Sequence, residues 1–225
     1  METKKFPINV ITLGASGVGK TSIIKRIKDG TFEDEYNVTI GVEFFSIERD
    51  YEKKNMKYLL NFYDTNGMES MQSLIPVQYI RDSHVVLLVF SNIETLDDLK
   101  NRWVDYYKEN TNIDNAKFIL IGNKSDTFGN QREELLRQGS RFADEIDALF
   151  MTCSAKNADN MDNVERYIER EAKRYINECQ EKKKNIKNYD KSVKLNKKKN
   201  HQNNEGKKKE SSESTNAVKH FNILF

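Results

Sequence analysis

Cysteine, proline and tryptophan are scarce in this 225-residue chain, at two, two and one residues. Two cysteines, Cys153 and Cys179, are too few for a disulfide framework. Both are expected as small buried hydrophobes of a reduced compartment. No run approaches the roughly 18 consecutive apolar residues of a membrane-spanning helix, so a transmembrane class is excluded. The first residues, Met1-Glu2-Thr3-Lys4-Lys5, hold no apolar signal region, and Glu2 stands where N-myristoylation needs glycine. The expectation is a cytoplasmic protein, free or peripheral to a membrane.

Charge is abundant but unevenly placed. From Glu181 to the end there are 13 Lys against 5 acidic residues, a net of +8, which leaves −6 for residues 1–180 of a chain whose total is +2. An acidic body therefore precedes a basic tail. The tail has few apolar residues (Ile186, Tyr189, Val193 and Leu195 before Ala217) and cannot bury enough surface to offset the entropy of ordering. Residues 1–182 are expected as one globular domain and 183–225 as a disordered Lys/Asn-rich tail. The bland view of the tail is a solvated segment without a partner. The alternative is weak, salt-sensitive contact with an anionic membrane, at about 1 kcal/mol per Lys near the surface. Its Lys runs carry no interleaved aromatics, which argues against nucleic acid.

Apolar strands alternate with amphipathic helices along the body. Ile8–Leu13, Val42–Tyr51, Lys57–Asp64, His84–Phe90, Lys117–Gly122 and Phe150–Cys153 read as strands, the second and third as a hairpin around Lys53-Lys54-Asn55. Helices are expected from Thr21 to about Gly30, and over Leu96–Asn110, Arg132–Glu145 and Met161–Lys182. The fold class is α/β: a three-layer, six-stranded, mainly parallel sheet with about five helices. Ligands in such sheets bind at the carboxyl ends of the strands.

Chemistry-bearing motifs fall at those ends. Gly14-Ala15-Ser16-Gly17-Val18-Gly19-Lys20-Thr21 is a G-x-x-x-x-G-K-[ST] phosphate loop between a strand and a helix. Its backbone N–H groups, with Ser22 just beyond, cradle phosphates. Lys20 reaches the β- and γ-phosphates, and Thr21 ligates Mg²⁺. Asp64-Thr65-Asn66-Gly67 is ordinarily a mere turn. Placed one strand pair after a phosphate loop, it suits an aspartate that holds Mg²⁺ through water and a glycine that meets a γ-phosphate. Asn123-Lys124-Ser125-Asp126 can be a polar loop. It can equally supply a carboxylate for guanine N1–H and its exocyclic amine, with the Lys124 stem over the base. Adenine offers no such donor pair, so an ATP-using enzyme is disfavoured. Ser154-Ala155-Lys156 would let the Ala155 N–H approach guanine O6 and Lys156 pack beside the base.

Together these motifs resemble the Ras superfamily of small GTPases over residues 6–180, and the Rab family most closely, with a Ran-like assignment the weaker neighbour. The resemblance implies a P-loop NTPase fold and a switch that binds GTP or GDP with Mg²⁺. Exchange factors, activating proteins and effectors would read it through two switch segments. It implies Phe32 edge-on to guanine, Tyr36 closing over the phosphates and Thr39 as a Mg²⁺ ligand in the GTP state. Ser16, Trp103 and the run Thr39-Ile40-Gly41-Val42-Glu43-Phe44 look Rab-like, which implies a role in vesicle or membrane trafficking.

The chain also departs from that pattern. Met68 replaces the glutamine that orients the attacking water, and a thioether donates no hydrogen bond. Slow intrinsic hydrolysis is expected, with Lys20, Thr39 and Gly67 as the remaining catalytic groups. The alternative is a hydrolysis-deficient GTP-bound scaffold. Asn66 stands for a small alanine and either crowds the metal or partly replaces the missing polar group. The aromatic triad that Rab proteins show to effectors matches Phe44, Tyr63 and Gln78, so one ring is expected to be lost. Pro76 fits only the first turn of a helix. No cysteine occupies a C-terminal prenylation position.

Overall fold

Val85-Val86-Leu87-Leu88-Val89-Phe90 is apolar at every position, and every one of these residues is fully buried. A strand without a polar face needs cover on both sides. In the computed structural model, which describes residues 5–35, 39, 41–65, 77–111 and 116–187, it lies inside a six-stranded sheet. The strands are β1 (Phe6–Leu13), β2 (Val42–Tyr51), β3 (Met56–Thr65), β4 (Val85–Phe90), β5 (Lys117–Gly122) and β6 (Leu149–Thr152). Their order is β2-β3-β1-β4-β5-β6, parallel throughout except for the antiparallel β2–β3 hairpin. That hairpin turns through Glu52–Lys54 and Asn55, whose φ is 45°.

The helices are α1 (Lys20–Asp29), α2 (Val77–Arg81), α3 (Ile93–Asp98), α4 (Val104–Asn110) and α5 (Arg132–Glu145). Residues 161–176 form α6, and residues 177–187 are helical as well, past the Lys182 end read from sequence. The chain divides into two units, Met1–Ile176 and Asn177–Phe225. Cys153 is buried and Cys179 half-buried, and both are free thiols.

Strand periodicity of two sorts the core into two layers. Ile8, Val10, Leu87, Val89, Ile119 and Ile121 pack with α1 and α6. Ile11, Leu13, Val86, Leu88, Phe90 and Leu120 pack with α3, α4 and α5. The expected three-layer α/β architecture is the one observed.

The helix expected over Leu96–Asn110 starts earlier and is not uniform. Asn92 Oδ1 accepts the Thr95 N–H at 2.9 Å, and Thr95 Oγ1 accepts the Asn92 N–H at 3.0 Å, a reciprocal cap that begins α3 at Ile93. Leu99–Trp103 is then a π turn between α3 and α4, with Trp103 Nε1 donating to Asp98 at 3.0 Å.

His84 secures the start of β4. Its Nδ1 accepts the Asn9 N–H at 2.9 Å while its own N–H donates to the Asn9 carbonyl at 2.8 Å. Burial pulls the imidazole down to about 4, against the Asp82 charge. The unfolded chain therefore binds a proton between the ordinary His value of about 6.5 and pH 4 that the folded chain refuses. This contribution is complete above pH 6.5 and is lost as pH falls towards 4. It amounts to about 2 kcal/mol once the ring's residual solvent contact is discounted. Denaturant midpoints at pH 7 and pH 4.5 should fall further apart for wild type than for His84→Gln. Equal gaps would refute the assignment.

Candidate functional site

The carboxyl ends of β1, β3, β5 and β6 surround a cavity of about 310 Å³. Its phosphate end is the loop after β1. Gly14 has φ 142°, and a Cβ there would stand 2.1 Å from the Val89 carbonyl oxygen. Gly19 has φ 94°, and its Cβ would stand 2.3 Å from Asn123 Nδ2. Only glycine fits either position. Gly17, Gly19, Lys20, Thr21 and Ser22 line the cavity, while Ser16 is exposed on the loop. The Val18 side chain is core, and what Val18 offers is its carbonyl. Lys20 is buried and donates to the Gly14 and Ala15 carbonyls, each at 2.9 Å. Burial draws its ammonium down to about 8, partly offset by Asp64. It remains a cation at neutral pH, held across its own loop.

A second corner gathers oxygens. Thr21 Oγ1 donates to Asp64 Oδ2 at 2.5 Å and lies 3.1 Å from Thr39 Oγ1. Asp64 Oδ1 accepts from Thr12 Oγ1 at 3.1 Å. Asp64 is wholly buried, and that burial pushes its carboxyl upward, against its bond from Thr21 and the Lys20 charge. Two hydroxyls and a carboxylate form a hard, oxygen-only donor set, which suits Mg²⁺. Among the described residues no group of three or more His, Cys, Asp or Glu side chains is placed to hold a metal ion. A metal in this corner would therefore draw further oxygens from a ligand or water.

The opposite end is built on Asn123, which is 1% exposed. Its Nδ2 donates to the Val18 carbonyl at 2.9 Å, and its Oδ1 accepts the Ala155 N–H at 3.1 Å and the Cys153 thiol at 3.6 Å. One amide thus joins the phosphate loop, β5 and the loop after β6. Burial pushes the Cys153 thiol up to about 12, so it stays protonated. Lys124, at φ 61°, and Asp126 line the cavity. Phe32, Ala155 and Lys156 also line it, and Lys156 pairs with Asp34 at 2.9 Å.

The bonds of several residues expected at the site are as follows in the structure. The Ala155 N–H, expected at guanine O6, donates to Asn123, because the buried amide oxygen has to be satisfied. Ser154 is fully buried, and its Oγ accepts the Asn157 N–H at 3.1 Å, so its side chain closes a turn and does not line the cavity. Asn123 is a tie between loops. Asp126 is exposed at the cavity wall, not enclosed. Tyr36, Gly67 and Met68, with Asn66 and Pro76, lie outside the described residues.

Thr12, Thr65, Arg26 and the acidic segment Glu33-Asp34-Glu35 were not singled out from sequence. Thr65 Oγ1 donates to the Thr12 carbonyl at 2.7 Å, and Thr12 stands opposite Asp64 in the β1–β3 register. A buried-strand position held by a polar residue, one of two in β1 with Asn9, was the available signal for Thr12.

Residues 9–176 match the family model described as Ras family. The chain belongs to the Ras family. It is accordingly a GTP-binding small GTPase, a switch of a family that hydrolyses GTP and interacts with exchange factors, activating proteins and effectors. In this Ras-family protein an aromatic surface adjoins the Thr39 corner. Phe44, 57% exposed, lies 5.4 Å from Tyr63, and Tyr63 lies 4.7 Å from Tyr79, centroid to centroid. The third ring, expected to be lost at Gln78, is supplied by its neighbour Tyr79 on α2.

Proposed function

We propose that the chain is a Rab-like guanine-nucleotide switch of membrane trafficking, cycling between GTP and GDP with a slow intrinsic hydrolytic step. The observation that carries the switch reading is the convergence of Thr21, Thr39 and Asp64. Thr39 precedes β2, and its hydroxyl meets that of Thr21 in this corner. Mg²⁺, when bound, neutralises charge on the β- and γ-phosphates. Thr21 and Thr39 would hold it directly and Asp64 through water. Lys20 would place its ammonium against the transferring phosphoryl oxygens, and Gly67 would present a backbone N–H to the γ-phosphate. Loss of the γ-phosphate would free Thr39 and Gly67, a change that partners could read.

The Rab-like part rests on the run Thr39–Phe44 and on the exposed Phe44 with the half-buried Tyr63 and Tyr79 beside it, a surface that suits an apolar partner helix. A peripheral position on the cytosolic face of endomembranes, through the basic tail, belongs to the same proposal. Nucleic acid is not a proposed partner.

Slow hydrolysis rests on Met68. In a single-turnover assay Met68→Gln should hydrolyse bound GTP about tenfold faster than wild type, because an amide can both accept from and donate to the attacking water. A wild-type rate equal to that of the variant would sink this reading. The second reading, a GTP-locked scaffold, is favoured by the same residue. Nucleotide extracted from the purified protein separates the two: mainly GDP supports a working cycle, mainly GTP the scaffold.

A further inference from the structure

Arg26 sits in the last turn of α1 and does not line the cavity, yet it bonds to the segments that do. Its Nε donates to the Ala155 carbonyl and its Nη2 to the Lys156 carbonyl, each at 2.9 Å. Its Nη1 donates to the Gly30 carbonyl at 2.6 Å, and its guanidinium carbon lies 5.9 Å from the Phe32 ring centroid. One planar fork therefore joins the end of α1, the segment carrying Phe32 and the loop after β6.

We infer that Arg26 is a positioning residue that holds the base end of the cavity together and so sets how long a guanine nucleotide stays bound. The inference rests on the guanine-nucleotide reading above. Phe32, Ala155 and Lys156 all lie outside helices and strands, so their spacing is not fixed by a hydrogen-bonded ladder. Between the segment carrying Phe32 and the loop after β6 there is also the Lys156–Asp34 ion pair, whose side chains are 55% and 77% exposed. Such pairs are weak and screened by salt. The Arg26 bonds to Gly30 and Lys156 are exposed, but the one to the Ala155 carbonyl is half-buried, and a charge-assisted bond shielded from water is stronger. A lysine could keep the charge, but its single ammonium cannot present the fork that serves three carbonyls from one plane.

The test is release of a fluorescent GDP analogue after addition of excess GDP, measured with Mg²⁺ and again in EDTA. Arg26→Ala should release the analogue about tenfold faster than wild type, with association changed less than about twofold. The acceleration should persist in EDTA, because the clamp acts on the base end and not on the metal corner. Arg26→Lys should fall between wild type and Arg26→Ala. Wild-type release in either variant would overturn the inference. So would an acceleration that disappears in EDTA, since that locates the defect at the phosphates. If circular dichroism shows Arg26→Ala unfolded, the Arg26→Lys measurement decides alone. A wild-type chain that binds no GDP defeats the guanine reading itself, and this inference with it. Normal wild-type binding with unchanged release in the variants defeats only the clamp.

Discussion

Asp126→Asn should lower GDP affinity by roughly 10³-fold and make xanthosine diphosphate the better ligand. A carboxylate offers two acceptors, which match the N1–H and exocyclic amine of guanine. An amide offers one acceptor and one donor, which match the N1–H and 2-oxo group of xanthine. Sites that pair a ligand's polar edge reject the mismatched edge by roughly 10⁴–10⁵ when they are fully enclosed. Asp126 lines the cavity from an exposed position, so water compensates part of the mismatch and the smaller figure follows. Competition titrations with both diphosphates check this. An Asp126→Asn protein that keeps its guanine preference would show that another group reads the base.

Asn123→Ala should weaken nucleotide binding by about 10²-fold and stability by about 3 kcal/mol. The truncation leaves the Val18 carbonyl and the Ala155 N–H without their partner, and opens a hole between the phosphate loop and the loop after β6. Each buried group left unpaired costs about 1–3 kcal/mol. Asn123 also packs where a Gly19 side chain would be, so the phosphate loop loses a wall as well as a bond. Affinity titration together with a denaturation midpoint reads both effects. An affinity loss below about threefold would mean that the two ends of the cavity are tied together elsewhere.

Sequence patterning made the layers legible because burial imposes period two on strands and 3.6 on helices. Val42–Tyr51, Lys117–Gly122 and Arg132–Glu145 have the bounds that their apolar spacing implied. Where a side chain and not a periodicity sets the boundary, the reading slipped. Asn92 and Thr95 start α3 through reciprocal bonds, and an Asn-x-x-Thr pair carries little apolar signal. In the site, residues from these motifs line one cavity, but the bonds among them were not legible from the motifs. The Ala155 N–H is taken by Asn123 because both are buried together, and that fact needs three dimensions. Tyr79 and not Gln78 meets Tyr63 because α2 is a five-residue helix whose rotation no periodicity fixes. Arg26 escaped notice for a related reason. Two of its three acceptors are backbone carbonyls 129 and 130 residues away, and carbonyls carry no residue identity.

The π turn that breaks the helix between α3 and α4 places the chain's single indole in a dry setting. Trp103 is fully buried, its N–H is committed to Asp98, and it belongs to the core layer that does not contain α1. Its emission is therefore that of an apolar environment and reports the integrity of that layer. Tyr63 and Tyr79, 4.7 Å apart, pack against the partly buried margin of that same layer. Unfolding of this layer thus has its own chromophore, one indole in a chain of ten tyrosines.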